Sequence, residues 1–324
     1  MTPMFTLAEL DAAEAVVRRH VPVTPTYSWP LLESAVGTSV WVKHENHTPV
    51  GAFKVRGGLV YVDRMVRERP AARGLVSATR GNHGQSLAFA GRVHDRPVVI
   101  CVPHGNSPEK NAAMAALGAE LVVHGDDFQD AREHAEGVAA ERGYEFVPSF
   151  QRDLVMGVAT YARELFAAVP DLDTVYVPVG LGSGIVGLIT VRDLLGLDTE
   201  VVGVVADGAA ATQRSFEAGA PVATDVVDTF VDGVACRVPE PEAIEHICAG
   251  AARILAVPDD ATAAAMRLLH RAAHSAPEPA GAIALAGALA ERDSLAGRRV
   301  AVVQTGGNCD ASILVDVLGP TDAG

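Results

Sequence analysis

From residue 38 onward, short β-branched runs alternate with longer, alanine-rich stretches of helical period. Ser39–Lys43, Gly74–Ala78, Val98–Val102, Glu120–Val123, Thr174–Val179, Val201–Val205 and Arg299–Gln304 read as strands. They are apolar almost throughout, as strands of a parallel sheet covered on both faces are. Helices are predicted to start near Lys54, Asn82, Pro108, Asp127, Asp153, Ser183, Ala209, Asp259 and Pro279, several opened by a cap residue or a first-turn proline. An earlier helix is expected at the N-terminus, where Thr6 and Glu9 have capping-box spacing. The alternation predicts an α/β fold with crossover helices on both sheet faces. Residues 71–150 hold a self-sufficient βαβαβα unit and are assigned to a small domain; 1–70 and 151–324 form the large one. Segment 217–240, with Gly219, Pro221, three aspartates and Pro239, is expected to be an irregular surface excursion.

Composition narrows the classes of function. With 324 residues, 49% hydrophobic and 20% charged, the chain has ample material for one large or two medium domains. A net charge of −14, from 40 acids against 26 bases, argues against a nucleic-acid partner, which would need clustered Lys and Arg. The four cysteines, at 101, 236, 248 and 309, form no C-x-x-C pair, so neither a zinc cluster nor a disulfide framework is expected. A cytoplasmic setting is the expectation, since the N-terminus has no export pattern and no apolar stretch is long enough to cross a bilayer.

Candidate chemistry concentrates in four segments. Lys54, in Pro49-Val50-Gly51-Ala52-Phe53-Lys54-Val55-Arg56-Gly57-Gly58, follows an aromatic and precedes a valine, a setting in which desolvation frees an amine to attack a carbonyl. Taken alone, that decapeptide fits an ordinary solvated lysine on a first helical turn better. The strand Thr174–Val179 runs into Gly180-Leu181-Gly182-Ser183-Gly184-Ile185-Val186-Gly187, a glycine turn opening a helix, whose N–H groups suit a phosphate. Gly182, Gly184 and Gly187 also spell G-x-G-x-x-G, with Asp207 after the next strand, so a dinucleotide and a nicotinamide oxidoreductase stay open, as do plain packing glycines. Ser77-Ala78-Thr79-Arg80-Gly81-Asn82-His83-Gly84-Gln85 is a second polar strand-to-helix turn, with Asn82 as N-cap and N–H groups suited to a carboxylate. Thr305-Gly306-Gly307-Asn308 is a third turn, at the end of Arg299–Gln304. Turns at the carboxyl ends of parallel strands are where open α/β sheets bind ligands.

Together these segments resemble the fold-type II pyridoxal-phosphate enzymes, with a tryptophan synthase beta-like fold, and within them the threonine/serine dehydratase and serine racemase branch. The resemblance rests on Thr24-Pro25-Thr26, Lys43-His44-Glu45-Asn46, Gly51–Gly57, Gly81–Gln85, Gly180–Gly184, Glu278-Pro279-Ala280-Gly281-Ala282 and Thr305–Asn308, in order over nearly the whole chain. It implies two interwoven domains, each with a central, mostly parallel sheet flanked by helices. It implies pyridoxal 5'-phosphate as cofactor, held covalently by Lys54, with Phe53 against the ring and Asn82 on its phenolic oxygen. The phosphate would lie on Gly180, Leu181, Gly182, Ser183 and Gly184, and Thr305 would face the ring nitrogen. Thr79, Arg80, Gly81, Asn82 and His83 would receive the substrate carboxylate, and Glu278 would form part of the pocket wall. The implied reaction is β-elimination from a β-hydroxy amino acid such as threonine, serine or 3-hydroxyaspartate, with Lys54 removing the Cα proton, to give a 2-oxo acid and ammonia. Within the same fold, β-replacement on an activated serine is the alternative. A homodimer without nucleic-acid or membrane partners is also implied.

Three departures from the pattern matter. Arg80 occupies a position that is usually serine in this branch, and an arginine, protonated at any accessible pH, makes a poor acid or base; two-base racemisation is therefore not expected. Arg80 either reads a substrate carboxylate or pairs with a protein carboxylate. Ala206-Asp207-Gly208-Ala209-Ala210-Ala211-Thr212 offers one carboxylate where cation-binding relatives carry several, so no metal is expected. The chain ends soon after the Thr305 turn, so a C-terminal regulatory domain and feedback inhibition by isoleucine are not expected either. His20, His44, His94 and His270 are read as surface or satisfied histidines.

Overall fold

The computed structural model describes residues 3–319. Its strands are β1 (Thr26–Ser28), β2 (Ser39–His44), β3 (Leu75–Ala78), β4 (Val98–Val102), β5 (Glu120–Val123), β6 (Glu145–Phe146), β7 (Thr174–Pro178), β8 (Glu200–Ala206), β9 (Arg253–Val257) and β10 (Arg299–Gln304). The helices are α1 (Leu7–Val17), α2 (Pro30–Val36), α3 (Lys54–Glu68), α4 (Asn82–Val93), α5 (Pro108–Ala116), α6 (Phe128–Arg142), α7 (Arg152–Ala168), α8 (Ser183–Leu194), α9 (Ala211–Ala218), α10 (Pro241–Gly250), α11 (Asp259–Ala273), α12 (Pro279–Ala290) and α13 (Ala311–Leu318).

All seven expected strands form, and the expected helices start within two residues of their predicted positions. The additional elements carry weaker signals. β1 and β6 have only three and two residues, and α2 is a seven-residue helix. β9 mixes Arg253 and Ala256 into its apolar run. Between Gly219 and Glu240 the chain has no strand or α-helix and only a short 3-10 turn at Asp232–Val234, as expected of an irregular segment. The segment is nevertheless anchored, because Val231 and Val234 are buried.

The chain divides into two compact units. The first comprises Met1–Thr6, Val23–His47 and Tyr161–Gly324, and the second Leu7–Pro22 and Thr48–Thr160. The second unit therefore takes in α1, α3 and the first half of α7 in addition to the expected 71–150. Glycines explain why α3 belongs there. A Cβ on Gly57 would lie 2.7 Å from the Leu154 carbonyl oxygen, and one on Gly58 would lie 2.8 Å from that of Ser86. Only glycine lets α3 approach α7 and α4 so closely.

In the first unit six strands lie in the order β1-β2-β10-β7-β8-β9, parallel except for the antiparallel β1–β2 pair at the edge. Val40, Val42, Tyr176, Val202, Val204 and Val302 pack with Met266 and Leu269 of α11 and Ile283 and Leu285 of α12. Helix α12 is apolar all round, and Pro279 through Ala288 is buried, as a helix covered on every side must be. In the second unit four strands lie in the order β5-β4-β3-β6, all parallel. Val76, Ala78, Val99 and Cys101 pack against Ala131, Ala135 and Val138 of α6.

Each sheet contains a point where the winding reverses. In the first, β7, β8 and β9 progress outward, whereas β10 returns to the other side of β7. In the second, β3, β4 and β5 progress outward and β6 returns to the other side of β3. Loops leaving strands at such a point diverge and open a crevice for ligands. The loops at these two points are the glycine turn after β7, the Thr305 turn after β10 and the Thr79–His83 turn after β3.

Candidate active site

In the second unit, Lys54 is the first residue of α3 and Phe53 its N-cap. The Lys54 amine lies 5.1 Å from the centroid of the Phe53 ring, and burial pulls its pKa down to about 8. The neutral amine is thus well populated near pH 8, as carbonyl attack requires. Lys54 is half-buried rather than fully solvated. Its backbone is fixed too, since Ser86 Oγ of α4 donates to the Lys54 carbonyl at 2.6 Å.

The turn after β3 departs from expectation at its cap. Gly81, not Asn82, is the N-cap of α4, no side chain caps the helix, and Asn82 is the first helical residue. Extended backbone at Gly81 and the Thr79 hydroxyl do the local work: Gly81 N–H donates to Thr79 Oγ1 at 3.2 Å. Gly84 permits the tight passage, because a Cβ there would stand 2.7 Å from Thr79 Cγ2. Arg80 is exposed, while Thr79 and His83 are buried. The turn thus opens directly into the first helical turn of α4, whose leading N–H groups have no carbonyl of their own helix to bond.

The first unit assembles the remaining residues. Gly182 is the N-cap of α8, in the left-handed region at φ 98°, where an L side chain would be strained. Gly180 meets the chain at Gly233, whose carbonyl oxygen lies 2.6 Å from where a Gly180 Cβ would stand. Gly233 in turn faces Ala280, 2.6 Å from its own would-be Cβ. Leu181 is half-buried, and Ser183 and Gly184 are buried at the start of α8. Glu278, buried, is the N-cap of α12, and its N–H donates to the Gly306 carbonyl at 3.1 Å. Thr305 is buried with its hydroxyl 3.4 Å from the Ala280 carbonyl. The glycine turn and the Thr305 turn leave neighbouring parallel strands, β7 and β10. Gly233 is missed by sequence reasoning because it lies in the irregular segment, where no periodic signal marks it.

Behind Thr305 is a polar block that the sequence does not reveal. Gln304 Nε2 and Asn46 Nδ2 both donate to Ser275 Oγ, at 2.6 and 3.3 Å. His44 is buried rather than on the surface, and burial pulls its pKa down to about 4 against the opposing effect of the neighbouring Asn46 and Gln304 side chains. Lys43, fully buried, donates to Glu164 Oε2 at 2.6 Å and to the Thr24 carbonyl at 2.9 Å, and Thr24 Oγ1 donates to Glu45 at 2.5 Å. The Thr24 and Lys43–Glu45 motifs thus serve architecture.

A family model described as "Pyridoxal-phosphate dependent enzyme" matches residues 17–306. The chain belongs to this family. Among its relatives, L-threo-3-hydroxyaspartate ammonia-lyase of Saccharomyces cerevisiae is 28% identical over 93% of this chain and 92% of that protein. The biosynthetic L-threonine dehydratase of Salmonella typhimurium is 32% identical over 91% of this chain but only 58% of its own length, so this chain spans little more than half of that enzyme. The structure of the processed form of threonine deaminase isoform 2 from Solanum lycopersicum superposes with a TM-score of 0.88 at 26% identity, covering 98% of this chain and 96% of that one.

The cofactor of this pyridoxal-phosphate family fits the residues present. Gly180 and Gly233 pack too closely for any side chain, and Gly182 takes a left-handed backbone, so the turn is bare of side chains at the mouth of a helix whose N-terminus favours an anion. A pyridoxal-phosphate enzyme also needs an amine that can react with a carbonyl, and burial lowers the pKa of Lys54 to about 8. Asp207, whose side chain the dinucleotide reading needed, accepts the N–H of its neighbour Gly208 at 2.7 Å. Among the described residues no group of three or more His, Cys, Asp or Glu could hold a metal ion.

Proposed function

We propose that this protein is a pyridoxal-phosphate-dependent ammonia-lyase that converts a β-hydroxy amino acid to a 2-oxo acid and ammonia. The observation that carries this reading is Lys54: a half-buried lysine with its backbone held by Ser86 and its pKa lowered to about 8, in a chain that also carries a glycine turn at the N-terminus of α8. The printed activities of the S. cerevisiae and S. typhimurium relatives, one on 3-hydroxyaspartate and one on threonine, support the same class.

Bound pyridoxal phosphate supplies the electron sink for the pair left when the Cα–H bond breaks. Lys54 takes the Cα proton on Nζ, which is neutral in a useful fraction near pH 8. N–H groups of the Thr79–His83 turn hold the α-carboxylate and so fix which bond at Cα faces Lys54. Thr305 would offer the ring nitrogen a neutral hydroxyl, which would not compel that nitrogen to carry a proton. The Cβ–O bond then breaks, the hydroxyl leaving as water with the proton that Nζ took from Cα, and addition of a second water releases the nitrogen as ammonia and leaves the 2-oxo acid.

Arg80 is assigned to reading a carboxylate, either the α-carboxylate or the second one of a 3-hydroxyaspartate. Its exposed position at the mouth of the α4 nest suits an incoming anion. A panel of threonine, serine and 3-hydroxyaspartate, scored by ammonia release without an added nucleophile, tests class and recognition together. Ammonia release by the wild type is expected, and Arg80→Ser is expected to change the ranking of substrates by tenfold or more. No ammonia from any of them removes the lyase reading; an unchanged ranking removes the role of Arg80.

We propose in addition that the enzyme is a cytoplasmic homodimer. Val23, Tyr27 and Leu31 are exposed along the edge strand β1 and the start of α2, where a second copy would cover them, and none of the four cysteines is disulfide-bonded.

A further inference from the structure

His83 is buried, 5% exposed, in the first turn of α4. One ring nitrogen is engaged with the backbone of Val147, which leaves Nε2 a buried nitrogen with no hydrogen-bond partner. A buried polar atom left unpaired costs about 1–3 kcal/mol, so such atoms are uncommon and call for an explanation.

The surroundings of that nitrogen point one way. Ser86 lies three residues further along α4, on the same face of the helix, and its hydroxyl grips the Lys54 carbonyl at 2.6 Å. The face that carries His83 is therefore the face packed on the first turn of α3, where Gly58 admits Ser86 against the helix backbone. The charge of Lys54 also acts on the imidazole, adding to the effect of burial. Val147 is itself held in place, its carbonyl accepting from Ser77 Oγ at 2.8 Å and its N–H donating to the Val76 carbonyl at 2.8 Å.

We propose that the imidazole of His83 is a positioning residue for Lys54: Val147 fixes the ring, and bare Nε2 accepts a hydrogen bond from Nζ whenever the lysine amine is protonated. This rests on the reading of Lys54 as the reacting amine. Burial and the lysine's charge push the histidine pKa down to about 3, so the ring stays neutral wherever the enzyme works. A neutral acceptor suits the task. It directs Nζ without removing the proton that Nζ has collected, whereas a carboxylate in its place would hold the ammonium form too firmly to return it.

The test uses the cofactor-free full chain, so that it does not depend on turnover. The pH dependence of chemical modification at Lys54, read by peptide mapping, gives the amine's midpoint in the wild type, in His83→Leu and in His83→Gln. Loss of a hydrogen bond to a charged group, worth about 1.5–3 kcal/mol, lowers the midpoint by about one unit or more in His83→Leu. His83→Gln, which retains an acceptor at similar reach, is expected to restore most of the shift. Should His83→Leu fail to fold, the wild type supplies the answer by nitrogen NMR of the histidine rings: the His83 Nε2 signal is expected to remain that of an unprotonated acceptor and to move through the Lys54 titration. A Lys54 midpoint unchanged in His83→Leu, or an Nε2 signal that ignores that titration, overturns the proposal. Neither result bears on whether Lys54 carries the cofactor in the wild type, which reduction and mapping decide separately.

Discussion

Lys54 combines two requirements that oppose one another, since an amine reactive near neutral pH has to be desolvated and a desolvated ammonium destabilises the fold. Its pKa drops from 10.5 to about 8 through burial alone. Between those values the unfolded chain binds more protons at this site than the folded one, so stability rises with pH across that window. Below pH 8 the full penalty is present. Lys54→Met in the cofactor-free protein is therefore expected to be more stable than the wild type at pH 7, by the order of 1–3 kcal/mol. The advantage should shrink as pH rises from 8 to 10.5. Denaturant titrations at pH 7 and pH 10 measure it; equal stability of the two proteins at pH 7 would show that the amine is not desolvated. The sequence made Lys54 visible because its neighbours are apolar. His44 stayed hidden for the converse reason: nothing in Lys43-His44-Glu45-Asn46 tells a buried histidine from a solvated one, and its surroundings come from Ser275 and Gln304, far along the chain.

At the scale of elements, close approach between helices positions the chemistry. The α3 glycines do not mark a turn; they let the helix that begins with Lys54 lie against α4 and α7. Gly57→Ala would force a Cβ to 2.7 Å from the Leu154 carbonyl, a rigid backbone atom that cannot step aside. Overpacking of this kind costs about 1–3 kcal/mol, and here it also displaces the first turn of α3. Thermal unfolding should show the loss, together with weaker cofactor retention; a variant as stable as the wild type would mean that α3 has slack. Long, strongly apolar strands such as β4 and β10 were legible because burial on both faces leaves a continuous β-branched signal. The edge strand β1, the two-residue β6 and the mixed β9 were not, because their pairing is set by neighbours rather than by their own composition. The N-cap of α4 was misassigned to Asn82 because asparagine is the stronger capping residue in isolation, whereas here Gly81 takes the extended conformation that the turn needs.

For the whole molecule, two sheets of different size each reverse their winding once, and the turns predicted to bind ligand lie at those reversals. This is why those turns are legible in the sequence. Residues that hold a phosphate or a carboxylate with backbone N–H groups must sit at strand ends, and strand ends are the part of an α/β fold that local pattern marks best. What it did not carry is the extent of the units, because the helices α1 and α3 and the break within α7 are assigned by packing, which leaves no periodic mark on the chain. The central claim, that Lys54 is the covalent anchor of a pyridoxal-phosphate enzyme, is tested most directly by borohydride reduction of the cofactor-loaded protein followed by peptide mapping. The account predicts one modified peptide, carrying the reduced cofactor on Lys54, and none in Lys54→Ala; cofactor fixed on another lysine, or on none, would contradict it.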